Sequence, residues 1–167
     1  MLIRALEPAD LDEYRALMLE AFEVDADAFT STRQEREQKA SAWWLARMDH
    51  PHDLGRAFGA FQAGQMVGTV AIEYSDRVKT RHKGHVVGMY VRSAQRGQGL
   101  AQALLAAVVA DARERPSISV LTLTCTQGNE HAQRLYASAG FEVFGVESRA
   151  IFNGHEYKSK VHMHLPW

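Results

Sequence analysis

Between Val91 and Leu105 the chain reads VRSAQRGQGLAQALL: an apolar run, one arginine, two glycines a residue apart, then an Ala/Leu segment that favours helix. A strand-to-helix turn of this kind aims free backbone N–H groups and the positive end of a helix dipole into one small space. The natural occupant is an anion, with phosphate or pyrophosphate foremost. Gly97 and Gly99 carry no side chain to hold a ligand off the backbone, and Arg96 can either orient the loop or contact phosphate. A plain turn with strain-relieving glycines would read the same way. The pattern is neither a P-loop, which needs GKS or GKT, nor the GxGxxG of dinucleotide sites.

A second group of residues follows in NEHAQRLYASAGFEVFG, from Asn129 to Gly145. Asn129 suits a helix N-cap, and Ala132, Leu135, Tyr136 and Ala139 recur at spacings of three and four on one side of that helix. Tyr136 is then either core filler with its hydroxyl at the rim or a proton donor beside a ligand. Cys125 could serve as an acyl-accepting nucleophile, but its β-branched neighbours favour a small buried hydrophobe. His162 and His164 share one face of an expected strand and could be joined by His155 or His82. No Cys or carboxylate arrives at a recognised ligand spacing, so no metal is expected.

The elements that must position these residues can be read from periodicity. Leu2 to Leu6 is a short strand. Pro8 starts a helix carrying Leu11, Tyr14, Leu17, Met18 and Phe22, and an acidic irregular stretch follows. Ser31 or Thr32 caps one further helix through Trp43, Trp44 and Met48, ending near His50-Pro51. Residues 56–62 and 65–74 form two strands about Ala63-Gly64, and residues 84–92 form a third, leading into the glycine turn. A helix over 99–115, a strand over 118–126, a helix from Asn129 to Gly140, and two strands about Asn153-Gly154 complete the order. The fold class is mixed α/β (α+β) in a single domain, 1–167.

With 19 Lys plus Arg against 20 Asp plus Glu, the net charge of −1 gives no sign of a nucleic-acid partner. No apolar run reaches the roughly 20 residues of a bilayer span, so no membrane partner is expected. The early acidic turn of the N-terminus does not resemble a signal peptide, and one cysteine suits a reducing compartment. A cytoplasmic protein is the expectation.

Taken together, the two segments resemble the GNAT family, the Gcn5-related N-acetyltransferases, which move an acyl group from acyl-CoA to an amine. The family's R/Q-x-x-G-x-G/A signature corresponds to Arg96-Gly97-Gln98-Gly99-Leu100-Ala101, and GMYV before it to the family's cofactor strand. The pattern N-x-x-A-x-x-L-Y-x-x-x-G-F corresponds to Asn129, Ala132, Leu135, Tyr136, Gly140 and Phe141. The resemblance implies a mostly antiparallel sheet whose central parallel strands splay apart, flanked by helices. It implies acetyl-CoA as co-substrate and no metal. The pyrophosphate would lie on backbone N–H groups of Gln98 to Ala101 with Arg96 beside them. Met89, Tyr90 and Val91 would pair with pantetheine, which Asn129 and Ala132 would flank on the other side.

For chemistry, an N–H near Met89 to Val91 would hold the oxyanion and Tyr136 would protonate the departing thiolate. Glu73 is the first candidate for general base, with His85 and Glu130 behind it; deprotonation through water would need none of them. Of Trp43 and Trp44, one is expected in the core and the other at the acceptor site. The acidic residues Glu20, Glu23, Asp25 and Asp27 could attract a cationic amine, although a solvated loop explains them more simply. The leading function is acetylation of a small-molecule primary amine in a ternary complex. Acetylation of a protein N-terminus or lysine, or a non-catalytic acyl-CoA sensor, are the alternatives. A homodimer through the last strands is compatible with the sequence, though no surface signal marks one.

Overall fold

The computed structural model describes every residue from Met1 to Trp167. Strand β1 (Leu2–Ala5) leads through a 3-10 turn at Pro8–Asp10 into α1 (Leu11–Val24), which buries Tyr14, Leu17, Met18, Ala21 and Phe22 at the expected helical spacing. The next segment departs from the expectation of one helix. It forms α2 (Arg33–Glu37) and α3 (Ser41–Met48) instead. Thr32 does cap α2: its hydroxyl accepts from Glu35 N at 3.2 Å, while the Glu35 carboxylate accepts from Thr32 N at 2.8 Å. Arg15 of α1 then donates to the Glu37 carbonyl at 3.0 Å, and Ala40 turns extended (ψ 157°). The break has a packing cause: α2 buries nothing, whereas restarting at Ser41 sends Trp44 and Met48 into the core under α1.

Strands β2 (Gly55–Gln62), β3 (Gln65–Tyr74) and β4 (Lys83–Val91) form an antiparallel meander, followed by α4 (Leu100–Arg113), β5 (Val120–Thr126), α5 (Glu130–Ser138), β6 (Glu142–Phe152) and β7 (Tyr157–Pro166). The seven strands lie in the order β1-β2-β3-β4-β5-β7-β6. Every pair is antiparallel except β4 with β5, so the sheet is mixed and mostly antiparallel. Asn153 and Gly154 open a four-residue loop, not the two-residue turn their pairing suggests: Phe152 pairs with Tyr157, and the Asn153 side-chain oxygen accepts from His155 N and Glu156 N.

Each face of the sheet carries its own core. Leu100, Leu104, Leu105 and Val108 of α4 pack with Val70, Ile72, Leu121 and Leu123 on one side. On the other, α1 and α3 pack with Ala57, Phe61, Met66 and Ala71. Strand β4 changes phase between these cores. Val86 and Tyr90, four residues apart, would share a face of a regular strand, yet they lie in opposite cores. The register explains it: Thr69 opposes Tyr90 and Ala71 opposes Val87, leaving Gly88 and Met89 against Val70 alone. This is a β-bulge, and the φ of +64° at Gly88 is the left-handed backbone that it requires.

Candidate active site

The parallel pairing of β4 and β5 covers only Lys83 to His85 against Val120 to Thr122. Beyond that the strands diverge, β4 remaining paired with β3 and β5 with β7. Their facing edges open a cleft of about 1290 Å³. It is lined by Met89, Tyr90 and Val91 on one wall and by Cys125, Asn129, Ala132 and Tyr136 on the other.

The glycine turn closes one end. Gly97 and Gly99 have φ of +78° and +79°, and a Cβ at either would meet nothing within 4 Å, so backbone conformation and not space demands glycine. None of the six N–H groups from Gly97 to Gln102 has an acceptor in the protein; the first helical bond of α4 runs from Ala103 N to Gly99 O at 3.0 Å. A row of free donors at a helix start, with Gly97, Gly99, Leu100, Ala101 and Gln102 lining the cleft, suits a pyrophosphate. Gln98 turns its side chain away, accepting from Gln62 at 2.7 Å. Of the two roles open to Arg96, the geometry carries the orienting one: its Nε donates to Val91 O at 2.9 Å and its guanidinium to Asp25 at 2.7 Å.

That second bond involves a feature the sequence did not announce. The 3-10 turn Ala26–Ala28 crosses above the diverging strands, tied to the β4 side by Asp25 with Arg96 and to β5 by the Thr126 hydroxyl, which donates to Asp27 O at 2.7 Å. The acidic stretch is therefore largely consumed in ion pairs: Glu20 with Arg92, Glu23 with Arg33, and Asp25 with Arg96.

On the opposite wall Asn129 caps α5, its side-chain oxygen accepting from Ala132 N at 3.2 Å. Tyr136 follows on the same helix and is almost fully buried, its ring set edge-on to Phe141 at 6.2 Å. Its hydroxyl has no hydrogen-bond partner within the chain, and burial with Cys125 alongside raises its pKa above the ordinary tyrosine value. Burial also raises the Cys125 thiol, the wrong direction for a nucleophile.

The far end of the cleft holds Arg36, Arg47 and His85. His85 bonds through Nδ1 to the Thr122 hydroxyl at 2.8 Å; burial lowers its pKa against the pull of Glu73 opposite it on β3, so the imidazole is neutral near pH 7. Glu73 lies outside the lining, with its carboxylate on the Arg47 guanidinium. Glu130 is exposed in the first turn of α5 beside Arg134. Trp44 is the core tryptophan, edge-on to Tyr14 at 5.9 Å, while Trp43 lies behind the cleft with Arg36 over its ring at 4.4 Å. His162 bonds Glu147 at 2.9 Å and His164 stacks on Phe144 at 4.9 Å, so both imidazoles are already engaged.

Among the residues lining this end, Arg36 and Arg47 escaped the sequence reading, since nothing in their spacing separates them from surface arginines. The bulge at Gly88 had a signal, a lone glycine within an apolar strand.

No functionally curated protein matches the sequence. Solved structures do resemble the fold along its whole length. A ribosomal-protein-alanine N-acetyltransferase from Brucella melitensis is 27% identical over 100% of both chains, with a TM-score of 0.82. An acetyltransferase of the GNAT family from Streptococcus pneumoniae is 23% identical over 99% of both, with a TM-score of 0.84. The yncA protein of Salmonella typhimurium, solved with its cofactor acetyl-CoA, is 21% identical over 99% of this chain and 93% of its own, with a TM-score of 0.82. The sequence model of the acetyltransferase (GNAT) family matches residues 18–141, taking in α1, the bulged strand, the glycine turn and the Asn129–Tyr136 helix. The chain belongs to the GNAT family of acetyltransferases.

Proposed function

We propose that the protein transfers an acetyl group from acetyl-CoA to a primary amine of a small molecule, by direct attack within a ternary complex. The observation that carries this reading is the row of six unbonded N–H groups from Gly97 to Gln102 at the mouth of the diverging strands. Backbone donors there receive the pyrophosphate. The open edges at Met89, Tyr90 and Val91 meet the amides of pantetheine, with Asn129 and Ala132 on its other side.

The amine attacks the thioester carbonyl carbon, and the C–S bond breaks as the C–N bond completes. Gly88 and Met89 stand outside the regular ladder with β3, so a backbone N–H at the bulge is placed to receive the developing oxyanion. The Tyr136 hydroxyl gives its proton to the departing thiolate; with its pKa raised it remains protonated at every working pH. The proton lost by the amine passes to a base. Glu73 and His85 are neighbours across β3 and β4, and His85 has the stronger support because it is neutral and lines the cleft, whereas Glu73 is held by Arg47. Glu73 then acts beside it, its charge favouring the imidazolium.

The crossing turn tied by Asp27 and Thr126 covers the cleft and favours a compact acceptor over an extended peptide. One observation supports a protein N-terminus as acceptor instead: the 27% identical relative from Brucella melitensis is named for that activity. Two measurements test the reading together. Titration calorimetry should detect acetyl-CoA binding. Release of free CoA should follow addition of members of an amine panel that spans amino acids, polyamines, aminoglycosides and peptides. Absence of acetyl-CoA binding would sink the proposal, and binding without release on any amine would leave only a sensor.

A further inference from the structure

The acceptor end of the cleft holds an arginine with nothing to neutralise it. Around the cleft the other arginines of this region are matched: Arg33 with Glu23 and Glu37, Arg47 with Glu73, Arg92 with Glu20, and Arg96 with Asp25. Arg36, in α2 and lining the cleft, forms no ion pair, and its Nε is buried without a hydrogen-bond partner. Its guanidinium is held flat between aromatic faces, over Trp43 at 4.4 Å and over Phe22 at 5.6 Å. Stacking fixes the plane and leaves the edge, where the donors are, to face the cleft. A second guanidinium, that of Arg47, adds like charge nearby.

A half-buried cation beside another cation is costly unless an anion completes it. The fixed fork of an arginine selects an oxyanion with two coplanar oxygens, that is, a carboxylate or a close analogue. The cofactor's phosphates do not supply one. Arg36 feels Arg47 and Glu73, which also flank His85, and His85 lies six residues before Val91 on β4. At a strand rise of about 3.3 Å per residue, that puts this group roughly 20 Å from the end of β4 where the pyrophosphate turn begins.

We infer that the acceptor is a small amino acid-like zwitterion whose carboxylate is bound by Arg36, leaving its amine to face His85 and the thioester. This inference rests on the acetyltransferase reading above and narrows its acceptor. Arg36 is thus a specificity residue and not a catalytic one. It selects among amines by holding a group remote from the reacting nitrogen.

The test pairs free amino acids with their carboxamides, identical except for the oxyanion, together with peptides beginning in neutral or acidic residues. CoA release should show the wild type preferring the carboxylates by about ten- to a hundredfold in kcat/KM, the range expected for a charged hydrogen bond. Arg36→Gln should collapse that ratio towards one through KM, with Arg36→Lys restoring part of it. Arg33→Gln, on the same short helix but already paired with acids, should keep the ratio. Equal use of carboxylate and carboxamide, an Arg36→Gln loss shared by both, or preference for acidic-headed peptides over free amino acids would overturn the inference. A binding readout separates it from the enzyme reading. In the presence of CoA, amino acids should raise the thermal midpoint more than their carboxamides do, and Arg36→Gln should abolish the difference. Carboxylate-selective binding without any CoA release would refute catalysis and retain the site. Failure of selective binding would refute the site.

Discussion

Replacing Tyr136 by Phe removes one oxygen from a ring whose surroundings are otherwise untouched. The hydroxyl bonds to nothing in the chain, and the edge-on contact with Phe141 at 6.2 Å belongs to the ring. Loss of a group with no protein partner should leave stability within about 0.5 kcal/mol of wild type. A positioned general acid, by contrast, contributes about 10²- to 10⁴-fold to a rate, which is about 3 to 5 kcal/mol in barrier height. The expected variant therefore melts with the wild type and binds acetyl-CoA with the wild-type calorimetric constant, yet its kcat falls by at least a hundredfold in a CoA-release assay. Because burial raises the tyrosine pKa, the wild-type rate should show no alkaline loss from this group below pH 10. Turnover within twofold of wild type would remove the acid role and leave Tyr136 as packing. A large drop in thermal midpoint would mean that the hydroxyl carries a structural bond which these contacts do not contain.

Three other outcomes follow from the geometry. Gly99→Ala meets no neighbour within 4 Å, so its cost is the left-handed backbone alone, about 1 to 2 kcal/mol by chemical denaturation, with weakened acetyl-CoA binding by calorimetry; a loss above 4 kcal/mol would mean a clash the structure lacks. If His85 is the base, activity falls on acidification with a midpoint below 6.5, because burial lowers its pKa, and His85→Gln should abolish that limb of the pH–rate profile. The sign for stability is the same: the unfolded imidazole takes up a proton near pH 6.5 while the buried one does not, so the fold weakens as pH drops through that value. Asp25→Asn breaks the bond to Arg96, and hydrogen exchange at residues 25–28 should rise with a stability loss of about 1 kcal/mol or less; unchanged exchange would show that Thr126 alone holds the turn.

How much of this was legible in the sequence depended on the distance over which each feature is decided. The strands, α1, α4 and α5 follow from hydrophobic period and from caps written within a few residues, such as Thr32 with Glu35 and Asn129 with Ala132. The break between α2 and α3 did not follow. The bond from Arg15 to the Glu37 carbonyl spans 22 residues, and the pull of Trp44 and Met48 into a core built by α1 is tertiary. The Asn153-Gly154 loop was legible in place but not in length, because the Asn153 side chain substitutes for a backbone turn and admits two further residues.

The same distinction separates the two ends of the active site. The donor is held largely by backbone, and backbone placement is encoded locally: two glycines with positive φ, a helix start, and a strand left without a partner. Any sequence that builds this turn must display the glycines, so the motif can be read. The acceptor is held by side chains from α2, α3 and β4, brought together across 49 residues from Arg36 to His85. At each of those positions an arginine or histidine looks like any surface residue, and only convergence gives it a role. Substitution at such sites changes the chosen amine without disturbing the fold, because Arg36 stands on a helix that buries nothing. A loosely anchored five-residue helix is thus where this chain can vary its acceptor while the bulged strand and the glycine turn keep its donor fixed.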